Sequence, residues 1–233
     1  MTEALYLKDC YLKEFDATVV SVKDNKYVIL DKTAFYPVGG GEPHDTGKIL
    51  FNGEEYNVVF TGKFDGEISH EVDKEGLKAG DKVQGIIDWD RRYRLMRMHT
   101  SAHVLASIIH KETGALITGG NLGLEKSSDD FSLENFDREK LQSYIDKANE
   151  EVKNGRDVKI SFVSKEEAKK LSKLAEGNYE DHDELRLIDI DGVDVQPCGG
   201  CHLKNTSEIK GIKLVSLDNK GKGRKRIYFT LVD

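Results

Sequence analysis

The period of the hydrophobic pattern changes near residue 90, and this change limits the folds that the chain can adopt. Before it, apolar and polar residues alternate in short runs separated by turn residues, which is typical of half-buried β-strands. The runs are Ala17–Val22, Tyr27–Asp31, Gly47–Phe51, Tyr56–Thr61, Glu67–Val72 and Lys82–Asp88. Six short strands with close turns predict a small antiparallel β-barrel over residues 1–90. One stretch, Thr33 to Asp45, contains three consecutive glycines and is expected to interrupt the strands.

After residue 90, apolar residues recur at three- and four-residue intervals. The first such run predicts a helix with one apolar face that ends near Gly114. Its apolar residues are Leu95, Met98, Ala102, Leu105 and Ile109. A second helix is expected from the cap at Asp137 to about Lys153, and a third from the capping box at Ser164 to about Leu174. Strands are predicted at Val158–Val163, Leu185–Ile190, Ile212–Leu217 and Arg226–Leu231. Residues 91–233 are therefore predicted to form a second, α+β domain, and the fold class is α+β.

The distribution of charge favours a nucleic-acid partner, although the formal charge of the chain is −7. The segment Lys210 to Arg226 has seven basic residues against one acid, a net +6, which leaves −13 for the rest. Three of these basic residues, Lys222, Arg224 and Lys225, fall at or near the tip of a predicted hairpin. Phosphate recognition needs a local positive surface rather than a positive total. A solvated basic turn is the alternative.

The chain lacks the marks of a membrane or secreted protein. No apolar run approaches the roughly 20 residues that a membrane span needs. The N-terminal residues include acids and have no apolar segment of the secretory type. Three cysteines, two of them three residues apart, do not form a disulfide framework. We therefore expect a cytoplasmic protein with reduced thiols.

Two pairs of potential metal ligands share the same spacing. His99 and His103 lie four residues apart on the predicted helix, where such side chains share a face. Alone, this pair is more typical of ordinary surface or core histidines than of ligands. Cys198 and His202 repeat the separation on a Gly-rich turn. Because zinc favours this mixture of nitrogen and sulfur donors, the four residues together predict a site for one zinc ion.

Cys201 is a second candidate for the sulfur ligand. It directly precedes His202, and adjacent side chains in an extended turn point apart. Cys198 is therefore the better ligand, and Cys201 is expected to be a small packed residue.

One motif resembles that of a different class of zinc enzyme. His182-Asp183-Glu184 followed by Pro197-Cys198 imitates the signature of nucleobase deaminases. Only 12 residues separate Glu184 from Pro197, and Glu184 leads directly into a predicted strand, which leaves no room for the helix and strand of that family. A zinc peptidase is also disfavoured, because Thr100 stands where the His-Glu-x-x-His motif needs Glu.

Three separated motifs of the chain resemble those of the AlaX trans-editing proteins, free-standing relatives of the editing domain of alanyl-tRNA synthetase. The motifs are Thr33-Ala34-Phe35-Tyr36-Pro37-Val38-Gly39-Gly40-Gly41, His99-x-x-x-His103 and Cys198-Gly199-Gly200-Cys201-His202, and the likeness continues through Asn205-Thr206-Ser207-Glu208-Ile209. The resemblance covers nearly the whole chain, and the length matches the medium-length type. It implies a hydrolase of mischarged alanine tRNA, with zinc held by the four ligands named above.

The resemblance also implies roles for the loop after Thr33. The Thr33 hydroxyl is expected to help recognise misacylated serine, while Gly39, Gly40 and Gly41 are expected to lie near the site. The chain departs from the family at Glu42, where Gln is usual, and at Cys201, where Thr is usual. An acid at position 42 either perturbs the activation of water or hydrogen-bonds to the loop.

The chemistry of the zinc is left open by the sequence. It can activate water, polarise the ester carbonyl, or orient the substrate while a ribose hydroxyl of the tRNA activates water. We favour orientation with Lewis-acid help. The alternative function is a non-catalytic RNA-binding module, because four protein ligands are also typical of structural zinc.

Overall fold

The computed structural model describes residues 2–134, 138–171 and 184–232. The chain divides into two compact units, residues 1–95 and 96–233. The division falls within the long helix α1, Trp89–Thr113. No helix among the described residues is long and apolar enough to cross a membrane.

The first unit is built around a closed antiparallel barrel. The strands of this unit are β1 (Glu3–Ala4), β2 (Glu14–Lys23), β3 (Tyr27–Leu30), β4 (Lys32–Thr33), β5 (Gly47–Phe51), β6 (Glu54–Phe64), β7 (Glu67–Val72) and β8 (Lys82–Ile87). The barrel follows the order β2-β3-β7-β6-β5-β8, while β1 and β4 form a short parallel pair. The predicted barrel is therefore confirmed, and closure leaves its strands with no free edge.

Alternation along the strands fills the barrel with apolar side chains. On β3, Val28 and Leu30 are fully buried, whereas Tyr27 and Ile29 are partly exposed. Phe35 and Ile49 join the same core. The period of two in the sequence thus becomes the inward and outward faces of the barrel wall.

A buried ion pair ties the start of α1 to the loop after β4. The Arg92 guanidinium donates through Nε to both carboxylate oxygens of Asp45, each at 3.0 Å, and Nη1 donates to the Cys10 carbonyl. Both charged side chains are at most 2% exposed. Removing either partner would leave a buried charge without its counterion, which is strongly destabilising. The pair therefore holds the start of α1 against the loop after β4.

The second unit is α+β. After α1 come β9 (Ile117–Asn121), β10 (Ser127–Phe131), α2 (Arg138–Asn154), β11 (Val158–Ser164), α3 (Lys165–Leu171), β12 (Glu184–Ile190), β13 (Asp194–Pro197), β14 (Ile212–Asn219) and β15 (Lys225–Leu231). A four-stranded sheet has the order β14-β15-β10-β9, and a three-stranded sheet has the order β11-β12-β13. A 3-10 helix, Thr206–Ile209, begins with a capping box at Asn205.

The helices and strands of the second unit agree with the prediction except at β9, β10, β13 and the 3-10 helix Thr206–Ile209, which the pattern did not indicate. The helix α1 ends at Thr113, beside the predicted stop at Gly114. The proposed cap Asp137 lies outside the described residues, as does the predicted end of α3 beyond Leu171. His182 and Asp183 of the deaminase-like motif also lie outside them, and Glu184 opens strand β12.

Candidate metal centre

The helix α1 places His99 and His103 on one face, one turn apart. Their ring centroids are 5.2 Å apart, and both side chains are buried. The helical rise, rather than any loop, therefore fixes the separation of these two imidazoles.

The turn after β13 supplies the other pair. The backbone N–H of Gly200 donates to Cys198 Sγ at 3.4 Å, so the turn folds back around the sulfur atom. The same turn brings His202 Nε2 to 3.3 Å from Cys198 Sγ. The sulfur atom also lies 3.5 Å from His99 Nε2, which joins the turn to α1.

The structure thus brings the four predicted ligands together. One donor atom from each of His99, His103, Cys198 and His202 lies within 4.8 Å of the others, a group that could hold a metal ion. Cys201 is fully buried and is not a member of this group.

Hydrogen bonds behind the imidazoles select the nitrogen atoms that face the cluster. His103 Nδ1 donates to Asp194 Oδ2 at 2.9 Å, and Gln196 Nε2 holds the same oxygen at 2.8 Å. The Thr100 hydroxyl, 3.2 Å from His202 Nδ1, accepts the Leu203 N–H at 3.1 Å. Because each Nδ1 is engaged away from the cluster, each Nε2 is left for a ligand position.

The electrostatics of the cluster favour a thiolate. Burial by itself would raise the pKa of the Cys198 thiol, but the charges of His99 and His202 and hydrogen bonds from His103 and His202 lower it well below its usual range. Burial and the charge of His99 lower the pKa of His202. For His103, burial acts to lower the pKa, but hydrogen bonds to Asp194 and Cys198 raise it to about 9.

These residues fit a zinc ion by the chemistry of their donors. Three imidazoles and one thiolate are a donor set that zinc accepts, and metal-bound histidines commonly donate their other ring nitrogen to a carboxylate. The bond from His103 to Asp194 has that form. Asp194, Gln196 and Thr100 were not predicted from the sequence, because their contacts cross about 90 or more residues of chain.

The loop residues that the resemblance singled out lie in the first unit. Thr33 is fully buried in the barrel, and its hydroxyl lies 2.8 Å from His70 Nε2. Gly39 and Glu42 exchange two backbone hydrogen bonds around a tight turn, and the Glu42 side chain is buried. Gly40 and Gly41 have φ angles of 57° and 81°, which a residue with a side chain adopts less readily. The three glycines are exposed.

The positive charge of the basic hairpin between β14 and β15 is partly neutralised by an acid of the same sheet. Lys225 is buried, and its ammonium group donates to Asn219 Oδ1 and to the Gly221 carbonyl, each at 3.1 Å. Arg224 and Arg226 both donate to Asp130, at 3.1 Å and 2.7 Å through their Nε atoms. These bonds, first that from Arg226, lower the pKa of Asp130 to about 2. Lys222, by contrast, is exposed.

A second acid on β10 is buried close to the cluster. Asp129 is 2% exposed, and its Oδ2 has no hydrogen-bond partner among the described residues. Burial raises its pKa to about 7, although the charges of His99 and His103 act in the opposite direction. The hydrophobic pattern gives no sign of this residue, because Ser-Ser-Asp-Asp-Phe has no apolar alternation.

Comparisons with known proteins identify relatives of the chain. Residues 185–228 match the family described as threonyl and alanyl tRNA synthetase second additional domain, and residues 4–91 match the class II (A) tRNA synthetases. The chain is 56% identical to a protein of Methanosarcina mazei named alanyl-tRNA editing protein AlaX-M, over 100% of this chain and 98% of the relative. A protein of the same name from Saccharolobus solfataricus is 48% identical over 99% of both chains. An alanine–tRNA ligase of Ignicoccus hospitalis is 37% identical over 98% of this chain, which spans 26% of the ligase.

Proposed function

The chain belongs to the AlaX-M family of alanyl-tRNA editing proteins, and from this membership we propose that it hydrolyses the ester bond of mischarged alanine tRNA at the His/Cys cluster. The observation that carries the proposal is the cluster itself. Four donor atoms from α1 and from the turn after β13 lie within 4.8 Å of one another. They do so in a chain that matches free-standing editing proteins along its whole length.

The amino acids removed are serine and glycine. A pocket built for alanine cannot exclude glycine, which is smaller, and a site of that kind rejects a substrate with one added hydroxyl only weakly. Both are therefore the errors that an alanine-charging enzyme makes most readily. The relatives' name, which refers to alanyl-tRNA editing, supports alanine tRNA as the carrier.

One zinc ion is the proposed cofactor, held by His99, His103, Cys198 and His202. When bound, it supplies orientation of the ester and Lewis-acid polarisation. The protein's own contribution is to hold the donors in place. Asp194 and Gln196 fix the ring of His103, and Thr100 fixes the ring of His202. The Gly200 N–H supports the sulfur atom of Cys198.

The basic hairpin is the proposed contact with the tRNA backbone. The support is the exposure of Lys222 and of Arg224, whose side chain is 51% exposed even while paired with Asp130. Lys225 has a different role, because its buried ammonium group holds the carbonyl and amide oxygens of the tip. Lys225 therefore shapes the hairpin that presents the other two residues.

The test is a deacylation assay with alanine tRNA carrying serine, glycine or alanine. The wild-type protein is expected to release serine and glycine and to spare alanine. Cys198→Ala should abolish release and lower the zinc content, while Cys201→Ala provides the matched control, since that cysteine lies outside the donor group. Tight tRNA binding without release of any amino acid would instead support a non-catalytic RNA-binding module.

A further inference from the structure

Asp129 is a buried acid whose carboxylate is incompletely satisfied. It is 2% exposed, and its Oδ2 has no hydrogen-bond partner among the described residues. Buried carboxylates are normally paired with a cation or held by hydrogen-bond donors, because their transfer from water is costly. The position of Asp129 therefore requires an explanation outside the packing of the sheet.

The strand register directs Asp129 away from the basic side chains of the hairpin. Successive residues of a strand face opposite sides of the sheet, so Asp129 and Asp130 point in opposite directions. Asp130 receives the bonds from Arg224 and Arg226. Asp129 shares its face with the fully buried Phe131 and therefore points to the apolar side of the sheet.

A glycine allows the Asp129 carboxylate to lie directly against the backbone of the neighbouring strand. Asp129 lies opposite Gly120 on β9, the edge strand of the sheet. A Cβ atom at position 120 would lie 2.7 Å from Asp129 Oδ1, closer than real contacts allow. Gly120 is also exposed. The carboxylate is thus buried beside a backbone segment that carries no side chain to cover it.

The carboxylate lies within electrostatic range of two of the four donor residues. The charges of His99 and His103 both act on it, and these residues are two of the four donors. In addition, Asp129 is a member of the unit that contains the whole cluster. An ester held at the donors would therefore lie in the part of this unit that also contains Asp129.

We propose that Asp129 binds the α-ammonium group of the aminoacyl ester. This inference rests on the proposed function. The α-ammonium is the cation that every aminoacyl ester carries, one carbon away from the scissile carbonyl, and it would supply the partner that Oδ2 lacks. Because serine, glycine and alanine all possess it, Asp129 orients the aminoacyl group and does not discriminate among them. An ester whose amine is blocked, such as a peptidyl ester, would lack this contact.

The experiment compares two esters on the same tRNA. One is seryl-tRNA, and the other is its α-hydroxy counterpart, the glyceric acid ester, which lacks the amine. The wild-type protein is expected to hydrolyse the seryl ester faster. In Asp129→Asn, kcat/KM for the seryl ester should fall about tenfold to a hundredfold, as for a lost charge-assisted hydrogen bond, while the α-hydroxy ester should change little.

The matched control is Asp130→Asn, which makes the same chemical change on the opposite face of the sheet. The ratio of the two rates should stay at its wild-type value in this variant. An equal loss on both esters in Asp129→Asn would contradict the proposal, because a general base or a structural residue acts on either ester. Wild-type rates on both esters in Asp129→Asn would contradict it as well.

A binding measurement needs no variant and so does not depend on the folding of Asp129→Asn. Its probe is alanine tRNA ending in a 3′-serylamino group, an amide in place of the ester, compared with the N-acetylated form. The wild-type protein should bind the free amine about tenfold or more tightly. Equal affinities would overturn the ammonium site. A wild-type protein that cleaves neither ester would instead contradict the proposed function.

Discussion

Thr33 Oγ1 lies 2.8 Å from His70 Nε2 inside the barrel, and this contact uses the hydroxyl proton. His70 Nδ1 is 2.9 Å from the Val28 carbonyl, which can only accept, so Nδ1 carries the ring proton and Nε2 accepts from Thr33. The Phe35 N–H donates to the same hydroxyl at 3.1 Å. The hydrogen bonds of Thr33 thus favour a structural role over a contact with serine.

Thr33→Val should therefore lower stability rather than selectivity. It leaves the buried His70 nitrogen without a donor, at a cost of about 1–3 kcal/mol of unfolding free energy, measurable by denaturant titration. Thr61→Val is the control, since Thr61 is an equally buried barrel threonine that donates to the Asp45 carbonyl. We expect the ratio of seryl to alanyl deacylation to be unchanged in both variants. A ratio that falls only in Thr33→Val would establish the substrate contact that the family resemblance implies.

His70 should make the barrel sensitive to acid. Burial lowers its pKa from 6.5 to about 4. The unfolded chain then binds more protons than the native one between these values, so the stability is fully present above pH 6.5 and is lost as the pH falls to 4. The loss is about 3 kcal/mol. Denaturant unfolding of the wild-type protein and of His70→Gln across this range isolates the effect, because the variant cannot titrate there. Parallel pH profiles would contradict the assignment.

Asp194→Asn should weaken metal binding without removing a ligand. The carboxylate holds the ring of His103 through Nδ1 at 2.9 Å, and loss of such a partner commonly lowers metal affinity about tenfold to a hundredfold. Competition with a chelator measures the affinity. Asp191→Asn, an exposed acid three residues earlier, is the control and should retain wild-type affinity. Equal affinities for the two variants would show that the bond to His103 does not orient the ligand.

The zinc content of single-residue variants should distinguish the two cysteines and test each histidine as a ligand. His99→Ala, His103→Ala and His202→Ala should each lose most of the metal, as should Cys198→Ala, since each removes one of the four grouped donors. Cys201→Ala should keep it. Metal analysis of the purified proteins gives the answer, and full retention of zinc in His103→Ala would remove that residue from the site.

Lys222 and Lys225 should behave differently in tRNA binding. Lys222→Gln removes an exposed charge, so it should weaken binding to any tRNA and flatten the salt dependence by about 0.7–0.9 counterions. Lys225→Gln should chiefly destabilise the hairpin, because the buried ammonium group holds Asn219 and Gly221. The measurements are dissociation constants over a salt series and thermal unfolding. If the salt dependence of tRNA binding is unchanged in Lys222→Gln, the hairpin tip is a solvated basic turn and not a tRNA contact.

Elements with a strong hydrophobic period could be predicted from the sequence, and elements without one could not. Val28 and Leu30 alternate with partly exposed neighbours, and that alternation survives in the barrel. Strand β10 has no such pattern, because Ser127, Ser128, Asp129 and Asp130 are all polar and all buried. Their burial comes from long-range pairing with β15, which no local window contains.

The candidate site divides in the same way. The spacing of His99 and His103 is set by one helical turn and that of Cys198 and His202 by a short turn, so local sequence indicated both pairs. The residues that orient them are remote in sequence, as Asp194 is from His103, which lies 91 residues earlier. The local sequence indicates two ligands within one turn, but it does not indicate which carboxylate the fold brings to the other ring nitrogen.

The same separation of the ligand pairs has a consequence for folding kinetics. His99 and Cys198 are 99 residues apart, so an ion bound by all four donors closes a long loop of chain. Each pair forms locally, on the timescale of about a microsecond typical of helices and hairpins. Joining the pairs requires closure of this loop, and the entropic cost of closure rises with the logarithm of the loop length. The native contacts of residues 96–233 offset that cost only as they form. We therefore expect a metal ion present during refolding to encounter two separate half-sites first, and the complete site to be among the last parts of this unit to assemble.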